Sequence, residues 1–198
     1  EARQARQRAD ANAKLAGEQR KLALDTLYTL VTKVEEKLRD RADLHDLQQD
    51  VLQTAMDGLT RVSRSAEGAP VADRSLGVAY QRMGDTFLKM GKTEEGKRQY
   101  ELSLPIFQRL MATDDPDEDW NRWNAAISHD SLGTIALRLG GGAAAARDHF
   151  AKAMALREEL VAKPRKSTPP LSAAQRQQAL AISCAKLGYI ALSGGDPA

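Results

Sequence analysis

The chain has 198 residues, of which 42% are hydrophobic, 28% charged and only 5% aromatic, and its formal net charge is +2. This composition is typical of a folded domain or a short helical array rather than of a disordered chain, and the nearly balanced charges argue against a dedicated nucleic-acid-binding surface. The single cysteine excludes an intrachain disulfide, and no apolar run approaches the ~20 residues of a membrane span. Abundant Ala, Leu, Gln, Arg and Glu favour helix along most of the chain.

The first predicted element is an N-terminal helical hairpin over residues 1–68. After a helix-prone stretch without a wide apolar face, one stripe combines three- and four-residue spacings at Leu24, Leu27, Val31, Val34 and Leu38. The helix from about Leu44 to Ser65 offers a matching stripe, and residues 40–43 form the turn. Because the first stripe covers only about two heptads, packing between the two helices is favoured, and self-association through the stripe is the alternative.

Three segments that each end in glycine organise residues 69–198: Leu76–Gly84, Ala125–Gly133 and Leu180–Gly188. Each is apolar on one helical face and ends in a residue that allows another helix to come close, which is typical of stacked helical hairpins. They predict hairpins over 71–113, 118–162 and 171–198, the last lacking its second helix. The predicted helices run over 71–90, 94–112, 119–139, 143–162 and 172–192.

Several local signals accompany these helices. Thr93 is the predicted N-cap of the second helix, and the aspartates of residues 114–119 are expected to cap the third. Pro105 is expected to kink its helix or remove one backbone bond. Trp120 and Trp123 are expected to be packing anchors against the preceding helix, with ligand stacking as the alternative.

No catalytic constellation is visible in the sequence. The glycines at 140–142 lack the Lys-Ser/Thr of a phosphate-binding loop. The three histidines, His45, His129 and His149, lie far apart along the chain and lack zinc-site spacing. His129 is expected at a packed position and Cys184, which is equivalent to it, as a buried inert thiol. We therefore expect no enzymatic activity, no metal and no cofactor.

At the glycine-containing segments the chain resembles the tetratricopeptide repeat family. The first repeat supplies the family's large, Leu-Gly, turn-glycine and aromatic positions at Tyr80, Met83, Gly84, Phe87, Gly91, Gly96, Tyr100 and Ser103. The second supplies His129, Leu132, Gly133, Ala136, Gly140, Ala146, Phe150 and Ala153, and the third Cys184, Leu187, Gly188, Ala191 and Gly195. The Leu-Gly glycines are 49 and 55 residues apart, more than the standard period of about 34, which is similar to a long-period bacterial subgroup.

The resemblance implies an all-α fold, in which the N-terminal hairpin precedes a right-handed α-solenoid of two full hairpins and a third A helix. It also implies a peptide-binding groove lined by the first helices of the hairpins, here called A helices. Carried over to this chain, the groove residues are Val78, Gln81, Asp85, Leu88, Lys89, Ile127, Asp130, Thr134, Leu137, Arg138, Ile182 and Tyr189. The Lys and Asn set that clamps chaperone tails is not found at these positions. A groove that is solvated, or covered by the N-terminal hairpin, is the alternative.

The function implied is that of a non-catalytic interaction and scaffolding module in a larger bacterial signalling protein, such as those in which repeats follow a planctomycete-type serine/threonine kinase. Its expected partner is a protein or peptide, with no nucleic acid and no direct membrane insertion by this part. The localisation is left open: the chain is a cytoplasmic or an extracytoplasmic part of its protein, and membrane anchoring of the whole protein is one of the alternatives that the resemblance implies. The alternative is a self-association or spacer element that forms a homodimer through the N-terminal helix.

Overall fold

The structure is a computed structural model that describes residues 70–113, 117–140, 142–165, 167 and 169–193, together with single positions between 22 and 61. Within these residues there is helix, turn and loop but no strand, so the fold is all-α. The chain divides into two compact units, Glu1–Ala79 and Tyr80–Ala198. Across the described part of the chain, no helix is both long and apolar enough to cross a membrane.

In the first unit, the described positions between 22 and 61 are helical except for the 3₁₀ helix Ala42–Leu44, which overlaps the predicted turn. The threonine hydroxyls of Thr26 and Thr54 donate to carbonyl oxygens four residues earlier, at 2.7 and 2.9 Å. The stripe from Leu24 to Leu38 lies outside the described residues, as does most of the matching stripe. Both hairpin packing and self-association through this stripe therefore stay predictions.

From residue 70 onward, the described part of the chain forms five helices: α1 (Pro70–Lys89), α2 (Thr93–Met111), α3 (Glu118–Arg138), α4 (Gly142–Ala162) and α5 (Ala173–Ser193). Each begins and ends within one residue of its predicted bounds. Glycines with positive φ shape the turns after α1 and α3, at Gly91 (75°) and Gly140 (69°), where a side chain would be strained. Successive helices pack on one another, α2 on α3, α3 on α4 and α4 on α5.

A close contact between a glycine and an aromatic ring joins α1 to α2 and α3 to α4. A Cβ atom built on Gly84 would lie 2.7 Å from Cε2 of Tyr100, and one built on Gly133 would lie 2.6 Å from Cε1 of Phe150. Carbon atoms in van der Waals contact are about 3.5–4.0 Å apart, so only glycine allows these rings to lie against the helix backbone. The repeat pattern in the sequence singles out all four residues, and the structure shows which glycine lies against which ring.

Each ring also reaches the next hairpin. Tyr100 forms a buried cluster with Leu132 and Ile135 of α3. Phe150 forms one with Ile190 of α5, against which Leu187 packs. The same side chain thus fastens its own hairpin and connects it to the following one, so the core continues from hairpin to hairpin.

One predicted helix cap is wrong, and the other is confirmed in position but makes no capping hydrogen bond. Thr93 is the first residue of α2 rather than its N-cap, which is Lys92, and that cap makes no side-chain hydrogen bond. The Thr93 hydroxyl instead faces back toward the carbonyl oxygen of Gly91, at 3.5 Å. Asp117 is the N-cap of α3, but its side chain makes no capping hydrogen bond. Pro105 lies inside α2, which continues across it and ends at Met111.

Candidate functional site

A depression of about 370 Å³ lies between α3 and α5, and we call it the groove. It is lined by Thr134, Leu137, Phe150, Ile182, Ala185, Lys186 and Tyr189. Five of these seven residues are apolar or aromatic. The Thr134 hydroxyl is engaged within its own helix, where it donates to the carbonyl oxygen of Asp130 at 2.9 Å. The groove therefore offers mainly hydrophobic surface to a ligand.

Large apolar side chains are exposed along both walls of the groove. Ile182 is 45% exposed and Tyr189 66% exposed on α5, and Leu137 is exposed on α3. Adjoining exposed apolar residues are more informative than scattered ones, because such patches mark interaction sites. The sequence predicted Thr134, Leu137, Ile182 and Tyr189 as groove residues, and the structure brings these four together.

Lys186 is the positively charged residue among those that line the groove. The Lys186 ammonium lies 5.2 Å from the centroid of the Phe150 ring and 3.4 Å from Oδ2 of Asp130. The ring face and the carboxylate both attract the cation. These contacts hold the lysine between the apolar lining and the buried carboxylate of α3.

A buried polar network ties the three helices together beside the groove. The Asp130 carboxylate pairs with Nη2 of Arg157 at 2.5 Å, and Arg157 also donates to the hydroxyl of Ser183. All three residues are buried. Asp130 was predicted to line the groove, but it is buried and connects α3 to α4 through its ion pair with Arg157. Its carboxylate was predicted to face a ligand but instead meets the guanidinium that α4 places against α3.

Three predicted groove residues of the first hairpin also serve the packing. Gln81 is buried, and its side-chain amide donates to the carbonyl oxygen of Asn124 and to the hydroxyl of Ser128, both at 2.8 Å. Leu88 packs against the cluster around Tyr100. The side chains of Gln81 and Leu88 therefore lie in contacts between helices. The sequence did not predict this, because the position of a residue along a helix gives its face but not how that face is rotated relative to the next helix.

Asp85, the third of these residues, accepts a hydrogen bond from the Tyr100 hydroxyl. Burial, reinforced by the Asp85 charge, raises the pKa of Tyr100, so this hydroxyl stays protonated. Of the remaining predicted residues, Val78 and Ile127 are partly buried. Lys89 and Arg138 are exposed in the last turns of α1 and α3.

Two histidines that lie far apart along the sequence meet in the structure. Nδ1 of His129 on α3 is 3.1 Å from Nδ1 of His149 on α4. Burial lowers the pKa of His129 to about 4 and also lowers that of His149. Both rings are therefore neutral near pH 7, and one Nδ1–H donates to the other Nδ1. The sequence analysis did not predict this contact. It could have been found from the spacing, because His129 is four residues before Gly133 and His149 is one residue before Phe150.

The described residues contain no group of three or more His, Cys, Asp or Glu side chains that could hold a metal ion. Cys184 was predicted to be buried but is exposed. The equivalent residue on α3, His129, is covered by α4, whereas none of the described helices covers this side of α5. The thiol is consequently open to reagents.

The loop after α4 is fastened to the start of α3. The Asp119 carboxylate accepts hydrogen bonds from the backbone N–H of Arg165 at 3.0 and 3.1 Å. The Glu118 carboxylate accepts hydrogen bonds from the Arg165 guanidinium at 2.9 and 3.0 Å. The hydrogen bond from Arg165 lowers the pKa of Glu118, while burial raises that of Asp119. Asp119, one of the aspartates expected to cap α3, thus holds a loop together with Glu118.

Trp120 joins the same attachment. Its indole N–H donates to the carbonyl oxygen of Pro169 at 2.8 Å, and its ring meets that of Trp123 edge to face, with centroids 6.3 Å apart. Trp120 is therefore hydrogen-bonded to the loop that leads into α5. The sequence predicted instead that its ring would pack against the preceding helix. This loop positions the helix that forms one wall of the groove.

No family model matches the chain, and no curated protein is significantly similar to it. The function is therefore inferred from the geometry of the groove and of the helix contacts.

Proposed function

We propose that the chain is a non-catalytic, tetratricopeptide-like interaction module that binds a peptide or protein segment in the groove between α3 and α5. The observation that carries this proposal is the apolar lining of the groove, with Leu137, Ile182 and Tyr189 exposed on facing helices. Peptides that dock in grooves insert apolar side chains between helices. The volume of about 370 Å³ is also within the range of roughly 300–1,000 Å³ common for ligand pockets.

The repeated contacts of the hairpins support the repeat assignment. Gly84 with Tyr100 and Gly133 with Phe150 make the same glycine–ring contact. Stacked helical units of this kind present an extended surface that suits the holding of a partner. The ligand is an extended or helical segment with apolar side chains, and Lys186 favours a segment that carries an acidic group beside them.

The wider role in the proposal is that of a scaffold within a larger bacterial signalling protein, in the manner of repeats that follow a serine/threonine kinase. This part is supported by the sequence resemblance. The self-association alternative depends on the stripe from Leu24 to Leu38, which lies outside the described residues. The groove is thus the better supported surface.

The test is a selection of peptides from a random display library on the whole chain, followed by affinity measurement by fluorescence anisotropy. The groove variant is Ile182→Lys with Tyr189→Ser. The matched control is Leu102→Lys with Val161→Ser, which changes exposed apolar residues on α2 and α4 in the same way. Circular dichroism checks that both variants fold.

We expect the groove variant to bind the selected peptides at least about tenfold more weakly, which corresponds to ~1.4 kcal/mol, while the control binds like the unchanged chain. Equal weakening in both variants, or a selection that yields no peptide, would contradict the proposal.

A further inference from the structure

A second depression, of about 490 Å³, is lined by α3, α4 and the loop that follows α4, and we call it the charged cleft. Five of its seven lining residues carry a charge, namely Arg122, Glu158, Glu159, Lys163 and Arg165, and the other two are alanines of α4. It shares no lining residue with the groove. The groove is mainly apolar, so the two depressions differ in chemistry as well as in place.

Contacts within the chain use only part of the hydrogen-bonding capacity of these groups. Nε of Arg122 donates to Oε2 of Glu159 at 3.1 Å, and Arg165 is held by Glu118, which is not a lining residue. The Arg122 side chain is only 8% exposed. Its Nη1 makes no hydrogen bond with a described residue and lies 3.5 Å from Oε2 of Glu118. A buried donor without a hydrogen bond is costly, so Arg122 can still serve an acceptor.

Two charges of the charged cleft are not engaged by any other described residue. The Lys163 ammonium and the Glu158 carboxylate make no hydrogen bond or ion pair within the described part of the chain, and both residues are exposed. They follow each other on the C-terminal part of α4 and the loop after it, on opposite sides in charge. The cleft therefore offers one cation and one carboxylate to a ligand, in addition to the donor of Arg122.

The signs of these charges decide which ligand fits. Three cationic and two anionic side chains give the lining a net charge of +1. A ligand with only negative groups would meet the carboxylates of Glu158 and Glu159, and a ligand with only positive groups would meet the cations, and like charges repel at short range. A ligand that carries both signs, with one more negative group than positive, complements the lining.

We propose that the charged cleft binds a free acidic amino acid, whose two carboxylates and one ammonium group match this balance. The carboxylates lie toward Arg122, Lys163 and Arg165, and the ammonium group lies toward Glu158 and Glu159. Because the volume exceeds that of one amino acid, bridging water completes the contacts. This binding site is separate from the groove and does not depend on what the groove binds.

The test is isothermal titration calorimetry of the whole chain with L-glutamate and L-aspartate. Three related compounds separate the charges of the ligand: glutarate lacks the ammonium group of glutamate, γ-aminobutyrate lacks its α-carboxylate, and L-lysine has the opposite charge balance. We expect L-glutamate or L-aspartate to bind, and the three related compounds to bind at least about tenfold more weakly, which corresponds to ~1.4 kcal/mol.

The variants Lys163→Gln and Glu158→Gln assign the binding to the charged cleft. Each is expected to weaken binding about tenfold and to leave the unfolding midpoint unchanged, because neither side chain has a partner among the described residues. The matched control, Glu94→Gln with Arg98→Gln, removes one exposed acid and one exposed base from α2 and is expected to bind like the unchanged chain. The groove variant Ile182→Lys with Tyr189→Ser is also expected to bind the amino acid normally, so a failure of the groove hypothesis is distinguishable.

Three results would overturn the inference. The first is no heat of binding at millimolar L-glutamate and L-aspartate. The second is equal binding of glutarate or L-lysine, which would show that the cleft does not distinguish the two signs of charge. The third is undiminished binding to the Lys163→Gln and Glu158→Gln chains, which would place the amino acid elsewhere on the protein.

Discussion

The contact between Gly133 and Phe150 gives a prediction whose size follows from the structure. In the variant Gly133→Ala, the new Cβ would lie 2.6 Å from Cε1 and 2.8 Å from Cδ1 of the Phe150 ring. The ring is almost fully buried, and Ala146 and Ile190 belong to the same core cluster. Carbon atoms in contact are about 3.5–4.0 Å apart, so the ring or the helix must move by about 1 Å.

Two opposing effects set the magnitude. Alanine in place of glycine stabilises a helix interior by about 1 kcal/mol, and overpacking a well-packed core costs about 1–3 kcal/mol or more. The clash involves a confined ring, so the second effect dominates and Gly133→Ala should destabilise the chain by about 1–2 kcal/mol. A Cβ on Gly188 would meet no atom of the described residues within 4 Å, so Gly188→Ala has the first effect without the second and should stabilise it by up to about 1 kcal/mol.

The assay is guanidinium unfolding followed by circular dichroism for both variants. Adding Phe150→Leu to Gly133→Ala should relieve the overlap, so the double variant should lose less stability than the sum of the single changes. If Gly133→Ala proves as stable as Gly188→Ala, the close helix approach inferred from the structure is wrong.

Three further predictions concern the polar contacts. The chain should lose up to about 3 kcal/mol of stability as the pH falls from 6.5 to about 4, because the pKa of His129 is about 4 in the folded chain and near 6.5 in the unfolded chain. This stability is complete above pH 6.5. Urea unfolding of His129→Gln should show a weaker dependence of stability on pH. Arg157→Met removes the main partner of the buried Asp130 and should cost about 3–5 kcal/mol in thermal unfolding, with partial recovery when Asp130→Asn is added; equal losses in both would count against the pairing. Trp120→Phe deletes the hydrogen bond to Pro169 and should cost about 0.5–1.5 kcal/mol, with faster amide hydrogen exchange confined to the loop before α5; unchanged exchange there would argue against that anchor.

The sequence was sufficient for the helices and for the types of residue that pack within a hairpin, but it did not predict the contact between His129 and His149. The repeat pattern and its turn signals located the helix ends within one residue, and the resemblance placed Gly84, Gly133, Tyr100 and Phe150 at the glycine and aromatic positions of the family. These features are local, because a hairpin with a short turn fixes which residues of its two helices face each other.

The sequence was less informative about contacts between hairpins and about polar partners. Gln81 and Asp130 were predicted to line the groove but are buried between helices, since a small rotation of a helix moves a residue from a groove into an interface. The attachment of Arg165 to Asp119 spans 46 residues, and no periodicity predicts it. Cys184 was predicted to be buried from its position in the repeat, but burial also needs a covering helix.

The most direct test of the central claim, that the groove between α3 and α5 is the binding surface, is chemical-shift mapping by NMR with a peptide selected on the chain. We expect the largest shifts on Leu137, Ile182 and Tyr189, while the exposed Leu102 of α2 and Val161 of α4 stay unchanged. Shifts concentrated on Leu102 and Val161, or on Cys184 and Gly188, would place the binding of that peptide elsewhere and contradict the account.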